Sequence, residues 1–204
     1  MTREELLAEL RERIADERVL AAIAAVDRER FVELRDRRRA WANRALAIGC
    51  GQTISQPLVV ARMCEALGII PGDRVLDVGT GSGYHAAVLA ALGARVVTAE
   101  LQPELSALAA ERLRAVAPGV EVVVGDGRLG HPPGAPYDAI CVAATARDEV
   151  PAALLDQLAV GGRLIAPLRT RRHERLVLFR RSARELVAEE LEAVRFVPLV
   201  EPSP

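Results

Sequence analysis

The chain contains no lysine, so all 27 basic residues among its 204 are arginine. With alanine so abundant, this absence reflects genomic base composition rather than function. Aromatics are scarce, with three Phe, two Tyr and one Trp. That is too few for a surface that stacks bases, and a net charge of −1 gives no global pull toward nucleic acid or a membrane. The three cysteines, Cys50, Cys64 and Cys141, include no Cys-x-x-Cys pair. A zinc knuckle and a disulfide framework are therefore not expected, and no metal is called for. No run approaches the ~18 apolar residues of a membrane span. The opening Thr2-Arg3-Glu4-Glu5-Leu6 is charged, with no apolar signal segment, so a cytoplasmic protein with reduced thiols is expected. What the chain does have is a half-apolar composition and the length of one ordinary domain, enough to bury roughly 70% of its unfolded surface.

Leu6, Leu7, Leu10 and Ile14 stand at helical spacing, and Val19, Leu20, Ile23 and Val26 repeat the pattern. Residues 35–49 keep no period and carry Arg35, Arg37, Arg38 and Arg39 ahead of Trp41, which reads as an irregular surface connection. Helical spacing returns after Pro57 and stops at Gly68. From Asp73 the chain alternates. Strands at 74–78, 95–100, 120–124, 137–143 and 162–167 are interleaved with helices at 84–92, 103–116 and 151–158. Such alternation predicts a parallel sheet covered on both faces. Leu176–Arg180 and Leu186–Val197 are two more strand-like runs with no helix between them, which predicts an antiparallel pair at the sheet edge.

The most informative stretch is Val75-Leu76-Asp77-Val78-Gly79-Thr80-Gly81-Ser82-Gly83-Tyr84. A buried strand runs into three glycines at alternate positions and then a helix, the unit that lets backbone approach a nucleotide-like ligand. Dinucleotide sites use Gly-x-Gly-x-x-Gly, but here the third glycine falls one place early. Asp77 inside the strand, the Gly79-x-Gly81-x-Gly83 turn and Glu100 at the next strand tip point instead to S-adenosylmethionine. Glu100 suits the two ribose hydroxyls, and Asp126, between two glycines at the third strand tip, suits the adenine amino group. Thr80, Ser82, Leu101 and Gly127 complete the expected cofactor contacts. No Gly-x-x-x-x-Gly-Lys phosphate loop is present, as befits a cofactor with a sulfonium and no phosphate.

Upstream, Leu46-Ala47-Ile48-Gly49-Cys50-Gly51-Gln52-Thr53-Ile54-Ser55-Gln56-Pro57 resembles the signature of the protein-L-isoaspartate O-methyltransferases. Arg195-Phe196-Val197-Pro198-Leu199 is similar to the family's C-terminal end. Gly125-Asp126-Gly127, Ala135-Pro136-Tyr137-Asp138-Ala139-Ile140 and Gly161-Gly162-Arg163-Leu164 match between them. Asn43 stands where the family commonly has an acid, and Cys50 where it usually has an aromatic. The resemblance implies a doubly wound α/β fold: a mostly parallel, seven-stranded Rossmann-like methyltransferase sheet with an antiparallel C-terminal edge. Residues 1–70 would form an N-terminal helical extension and substrate-side loop, and 71–204 the cofactor core of the same single domain. It implies methyl transfer from S-adenosylmethionine to the α-carboxylate of isoaspartyl residues in proteins and peptides. No nucleic-acid or membrane partner is expected, and the expected state is a monomer. It assigns Ser55 the catalytic role of holding that carboxylate, and Thr53, Ile54, Val197 and Pro198 the substrate pocket.

Other readings stand beside these. Ser55, two residues before Pro57, also fits a helix cap. His85 reads as a helix-terminal histidine beside solvent, and Cys141 as a small core residue. Trp41 fits either a peptide groove or burial under the N-terminal helices. The arginines at 35–39 and 169–175 read as a solvated face. The rival functions are an enzyme of the same fold that methylates normal aspartate in a dedicated partner, an NAD-linked oxidoreductase, and a cofactor-binding adaptor without catalysis. A chain ending soon after Leu199 disfavours the first, the glycine spacing disfavours the second, and the presence of Ser55 with the glycine turn disfavours the third.

Overall fold

A computed structural model describes residues 1–170 and 173–201. Arg171 and Arg172 of the second arginine cluster lie outside the described residues. The extension opens with α1 (Arg3–Arg11), closed by a Thr2–Glu5 capping box, and α2 (Glu17–Ala25), capped by Asp16. Their apolar stripes bury Leu6, Leu10, Val19, Leu20 and Ile23, and Ile14 of the segment between them is buried with these. Two short 3-10 turns follow, Arg28–Phe31 and Leu34–Arg39.

The last four residues of the stretch expected to be irregular form β1 (Leu46–Gly49), which pairs antiparallel with β2 (Gln52–Ile54) in a hairpin. Its turn passes through Gly49, Cys50 and Gly51, all at positive φ, a conformation that glycine adopts at little cost. Leu46, Ile48 and Ile54 point inward. Helix α3 (Pro57–Leu67) begins with proline in its first turn and ends at Gly68, as expected.

Beyond it run β3 (Arg74–Val78), α4 (Tyr84–Ala91), β4 (Arg95–Glu100), α5 (Pro103–Val116), β5 (Glu121–Val124) and β6 (Tyr137–Val142). The two-residue β7 (Ala146–Arg147), α6 (Ala152–Asp156), β8 (Leu158–Arg169), β9 (Glu174–Arg181) and β10 (Leu186–Ala193) follow. The sheet order is β10-β9-β8-β6-β3-β4-β5, with β7 paired to β8 outside that path. Strands β3, β4, β5, β6 and β8 are parallel, while β9 and β10 are antiparallel to their neighbours. The expected seven strands are present with β7 in addition. Helix α6 is shorter than expected and β8 longer, because the chain bulges out of its ladder with β6 between Leu158 and Arg163.

Residues on β3 and β6 alternate between two cores. Val75, Ala139 and Cys141 face α3, α4 and the extension, while Leu76, Val78, Ile140 and Val142 face α6. Helix α4 is buried from Tyr84 to Leu89, being covered by the sheet on one side and the extension on the other. No helix among the described residues is long and apolar enough to cross a membrane.

Candidate active site

The carboxyl ends of β3, β4 and β6 open onto one cleft. Its walls are Thr53, Ile54 and Ser55 of the hairpin, Gly79 to Ser82 of the glycine turn, Glu100 to Gln102, Gly127, Ala143 and Ala144, and Val197 to Val200. The Gly79 and Thr80 N–H groups both donate to Ala99 O (2.9 and 3.3 Å), which draws the turn across the end of β4. The Thr80 and Thr98 hydroxyls meet at 2.8 Å beneath it. Gly83 adopts φ +89° at the start of α4, and a Cβ there would lie 3.1 Å from the Leu113 side chain. Glycine at this point lets α5 close against the turn.

Glu100 sits at the β4 tip as expected, almost buried. One carboxylate oxygen accepts from Gly81 N (2.9 Å) and the other from Gln102 N (3.0 Å). Each oxygen keeps a lone pair for a donor in the cleft. The donor set fits S-adenosylmethionine: a fixed carboxylate for ribose hydroxyls beside a backbone cradle. A Cβ at Gly79 or Gly81 would fill that cradle next to Ala143 or Ile48, 3.6 and 3.5 Å away.

Three expected cofactor residues do not line the cleft. Gly83 shapes the turn from behind. Asp126 caps the 3-10 turn that follows it, and Arg128 grips its carboxylate (Nε to Oδ1 3.0 Å, Nη2 to Oδ2 2.8 Å). That pairing holds the Asp126 carboxyl below its usual range. Asp77 is fully buried under the turn, accepting from Thr98 Oγ1 at 2.9 Å and lying 3.1 Å from His85 Nδ1.

His85 is therefore corrected from a solvent-side histidine to a buried one. Strand alternation turns Asp77 toward α4, and the imidazole follows it inward. Cys141 Sγ lies 3.5 Å from Nδ1 and Cys64 Sγ 3.6 Å from Nε2. Burial opposes an imidazolium there, but the Cys141 sulfur and the Asp77 carboxylate outweigh it and hold its pKa well above the usual histidine range. Burial likewise pushes the Cys141 thiol up to about 11. His85 also borders the cleft.

Ser55 is not the cap of α3. The free Leu58 N–H at that helix start is taken by Asn43 Oδ1 (3.1 Å), whose amide donates to Glu9. No hydrogen bond of the Ser55 hydroxyl is found among the described residues, and Ser55 lines the cleft. The opposite wall is pinned by backbone bonds from Thr145 N to Val197 O and from Leu199 N to Thr145 O, both 2.8 Å. Glu174 ties this wall down by accepting from Thr145 Oγ1 and Phe196 N, both 2.7 Å. Trp41 lies away from the cleft, buried under Arg3 with its indole N–H on Glu29.

Sequence reasoning missed Ala143, Ala144, Leu199 and Val200. The first two stand at the β6 tip, where the strand-tip rule already applied to β3 and β4 finds them. Asn43 and Glu174 carried no local signal, since each acts on a segment distant in sequence.

The profile of the protein-L-isoaspartate(D-aspartate) O-methyltransferases matches residues 1–203. The chain belongs to that family. A protein-L-isoaspartate O-methyltransferase of Methanoculleus marisnigri is 51% identical over 188 residues, covering 92% of this chain and 85% of its own. One from Klebsiella pneumoniae is 48% identical over 199 residues, 97% and 95% of the two chains. Among solved structures, a protein-L-isoaspartate O-methyltransferase superposes with TM-score 0.88 at 30% identity, over 97% of this chain and 65% of that one. A Plasmodium falciparum beta-aspartate methyltransferase in complex with S-adenosyl-L-homocysteine gives TM-score 0.84 at 26% identity, over 98% and 99%. The match spans the extension as well as the sheet, so the hairpin carrying Ser55 is part of the family's architecture in this chain.

Proposed function

We propose that the protein transfers a methyl group from S-adenosylmethionine to the α-carboxylate of L-isoaspartyl residues in damaged proteins and peptides. The resulting ester closes to a succinimide without the enzyme, and hydrolysis of that ring returns some normal aspartate. The observation that carries this reading is the meeting, in one cleft, of the glycine turn and Glu100 with the Ser55 hairpin and the Val197–Pro198 wall.

The substrate carboxyl, with a pKa of ~3.5, is already ionised at neutral pH, so no general base is required. S-adenosylmethionine, when bound, supplies the electrophilic methyl. The chain's own contribution is to aim the carboxylate oxygen and exclude water, which is catalysis by proximity and orientation. Ser55 donates its hydroxyl to that carboxylate, and Thr53, Ile54, Val197 and Pro198 confine the residue that bears it. Glu100, Leu101, Gly79 to Ser82 and Gly127 hold the cofactor, with Asp77, Gly83 and Asp126 supporting their positions from outside the cleft. Residues 1–70 bring the Ser55 segment to the substrate, and 71–204 hold the cofactor and add the Val197–Pro198 wall, as parts of one methyltransferase domain. Three free cysteines fit a reducing, cytoplasmic setting.

The deciding experiment is methyl transfer from labelled S-adenosylmethionine to a short L-isoaspartyl peptide beside its normal aspartyl twin. Base-labile methylation of the isoaspartyl peptide alone is expected. Methylation of neither, with cofactor bound, would move the assignment to a dedicated protein substrate or an adaptor.

A further inference from the structure

Arg28, in the 3-10 turn after α2, is completely buried. Its Nε donates to Ala40 O (2.8 Å), and its Nη2 to Ser55 O (2.8 Å) and Arg44 O (3.4 Å). Its guanidinium lies over the Tyr84 ring at 4.7 Å, and Nη1 has no hydrogen-bond partner. No carboxylate pairs with it among the described residues. Burial lowers its pKa to about 10, so it stays cationic at neutral pH. An interior charge with no countercharge is costly, and a side chain that only tied loops together would not need it. Its three carbonyl partners all belong to the chain between the second 3-10 turn and α3. The last of them is the carbonyl of Ser55, a residue that lines the cleft together with Tyr84.

We propose that Arg28 is a positioning residue for methyl transfer, fixing Ser55 through its backbone carbonyl and placing an unmatched positive charge behind the point where the anionic substrate carboxyl binds. The inference rests on the role of Ser55 given above. The guanidinium fork sets where the hydroxyl stands, and the charge favours the ionised carboxylate without touching it. Lysine at 28 keeps the charge and loses the fork.

A double-mutant cycle on the full chain tests this, with R28K, S55A and the pair assayed for transfer to the isoaspartyl peptide and for S-adenosylhomocysteine affinity. R28K should lower kcat/KM for the peptide on the order of tenfold to a hundredfold, the scale set by small misplacements of catalytic groups. Cofactor affinity should stay within about twofold of wild type, because Arg28 touches none of that wall. In the S55A background R28K should have almost no further effect, since residues that act as a unit are not additive. If lysine at 28 prevents folding, R28Q, which keeps a donor and removes the buried charge, takes its place. Peptide KM should then rise with the loss of charge, and part of that rise should persist in the S55A background, because the charge acts without the hydroxyl; an unchanged KM would overturn the proposal. Additive effects of R28K with an impaired S55A would overturn the role of Arg28 alone. An S55A enzyme with unchanged transfer would overturn the Ser55 reading and this proposal with it.

Discussion

Ser55→Ala removes one hydroxyl and leaves the backbone of the hairpin as it is. A hydrogen bond to a charged group contributes about 1.5–3 kcal/mol, so kcat/KM for an isoaspartyl peptide should fall by roughly 10- to 100-fold. S-adenosylhomocysteine affinity by calorimetry should not move, and unchanged transfer would show that the hydroxyl does not meet substrate. Glu100→Ala should do the reverse. It leaves the Gly81 and Gln102 N–H groups without their acceptor and should weaken cofactor binding about tenfold or more, since an unmet buried donor costs about 1–3 kcal/mol. Equal cofactor affinity in variant and wild type would place the ribose elsewhere. Glu100 was legible in the sequence because a strand tip is a fixed place in this type of sheet. Asp126 was legible only in part: its position follows the same rule, but nothing marks Arg128, two residues on, as the cation that grips it. His85 was misread because a polar residue at a helix start usually meets water, and here the imidazole lies between Asp77 of β3, Cys141 of β6 and Cys64 of α3.

Helix α3 and the hairpin before it meet at Asn43, which caps Leu58 N from outside the helix. Asn43→Ala should cost about 1 kcal/mol, the usual scale of a lost N-cap, read as a lowered urea midpoint with an unchanged slope. Because Asn43 also holds Glu9 of α1 (2.6 Å), amide exchange should quicken at the start of α3 and in the extension, and not in β3 or β4. Uniform exchange would mean that the cap is redundant. The central strands β3, β4 and β6 were legible because each is five or six residues of chain buried in the sheet, and α5 because its apolar residues recur at helical spacing. The hairpin was not legible. Its strands have four and three residues, too few for a period of two to stand out beside Arg35–Arg39. The strand expected at 162–167 begins earlier, at Leu158, with Gly161-Gly162 inside the stretch of β8 where the register with β6 shifts, and glycine is a residue that such a bulge draws on.

Across the molecule, one buried cluster joins elements that the chain makes far apart. Asp77 of β3 lies opposite Cys141 of β6 in the sheet register, His85 of α4 bridges them, and Cys64 of α3 closes the far side of the ring. These are the groups that face His85, and burial pushes the Cys141 thiol up to about 11. His85 has a pKa raised well above the usual histidine value when folded and near ~6.5 when unfolded. The stability it contributes is present in full below the unfolded value and is lost as pH rises through the folded one. Urea unfolding followed from about pH 6 to about pH 9 should show wild type losing stability faster than His85→Gln, with the two curves drawing together at the alkaline end. Parallel curves would mean that folding leaves the imidazole pKa where it is in the unfolded chain. Because the cluster lies directly under that turn, the same titration should appear in S-adenosylhomocysteine affinity, with a pH dependence that His85→Gln removes.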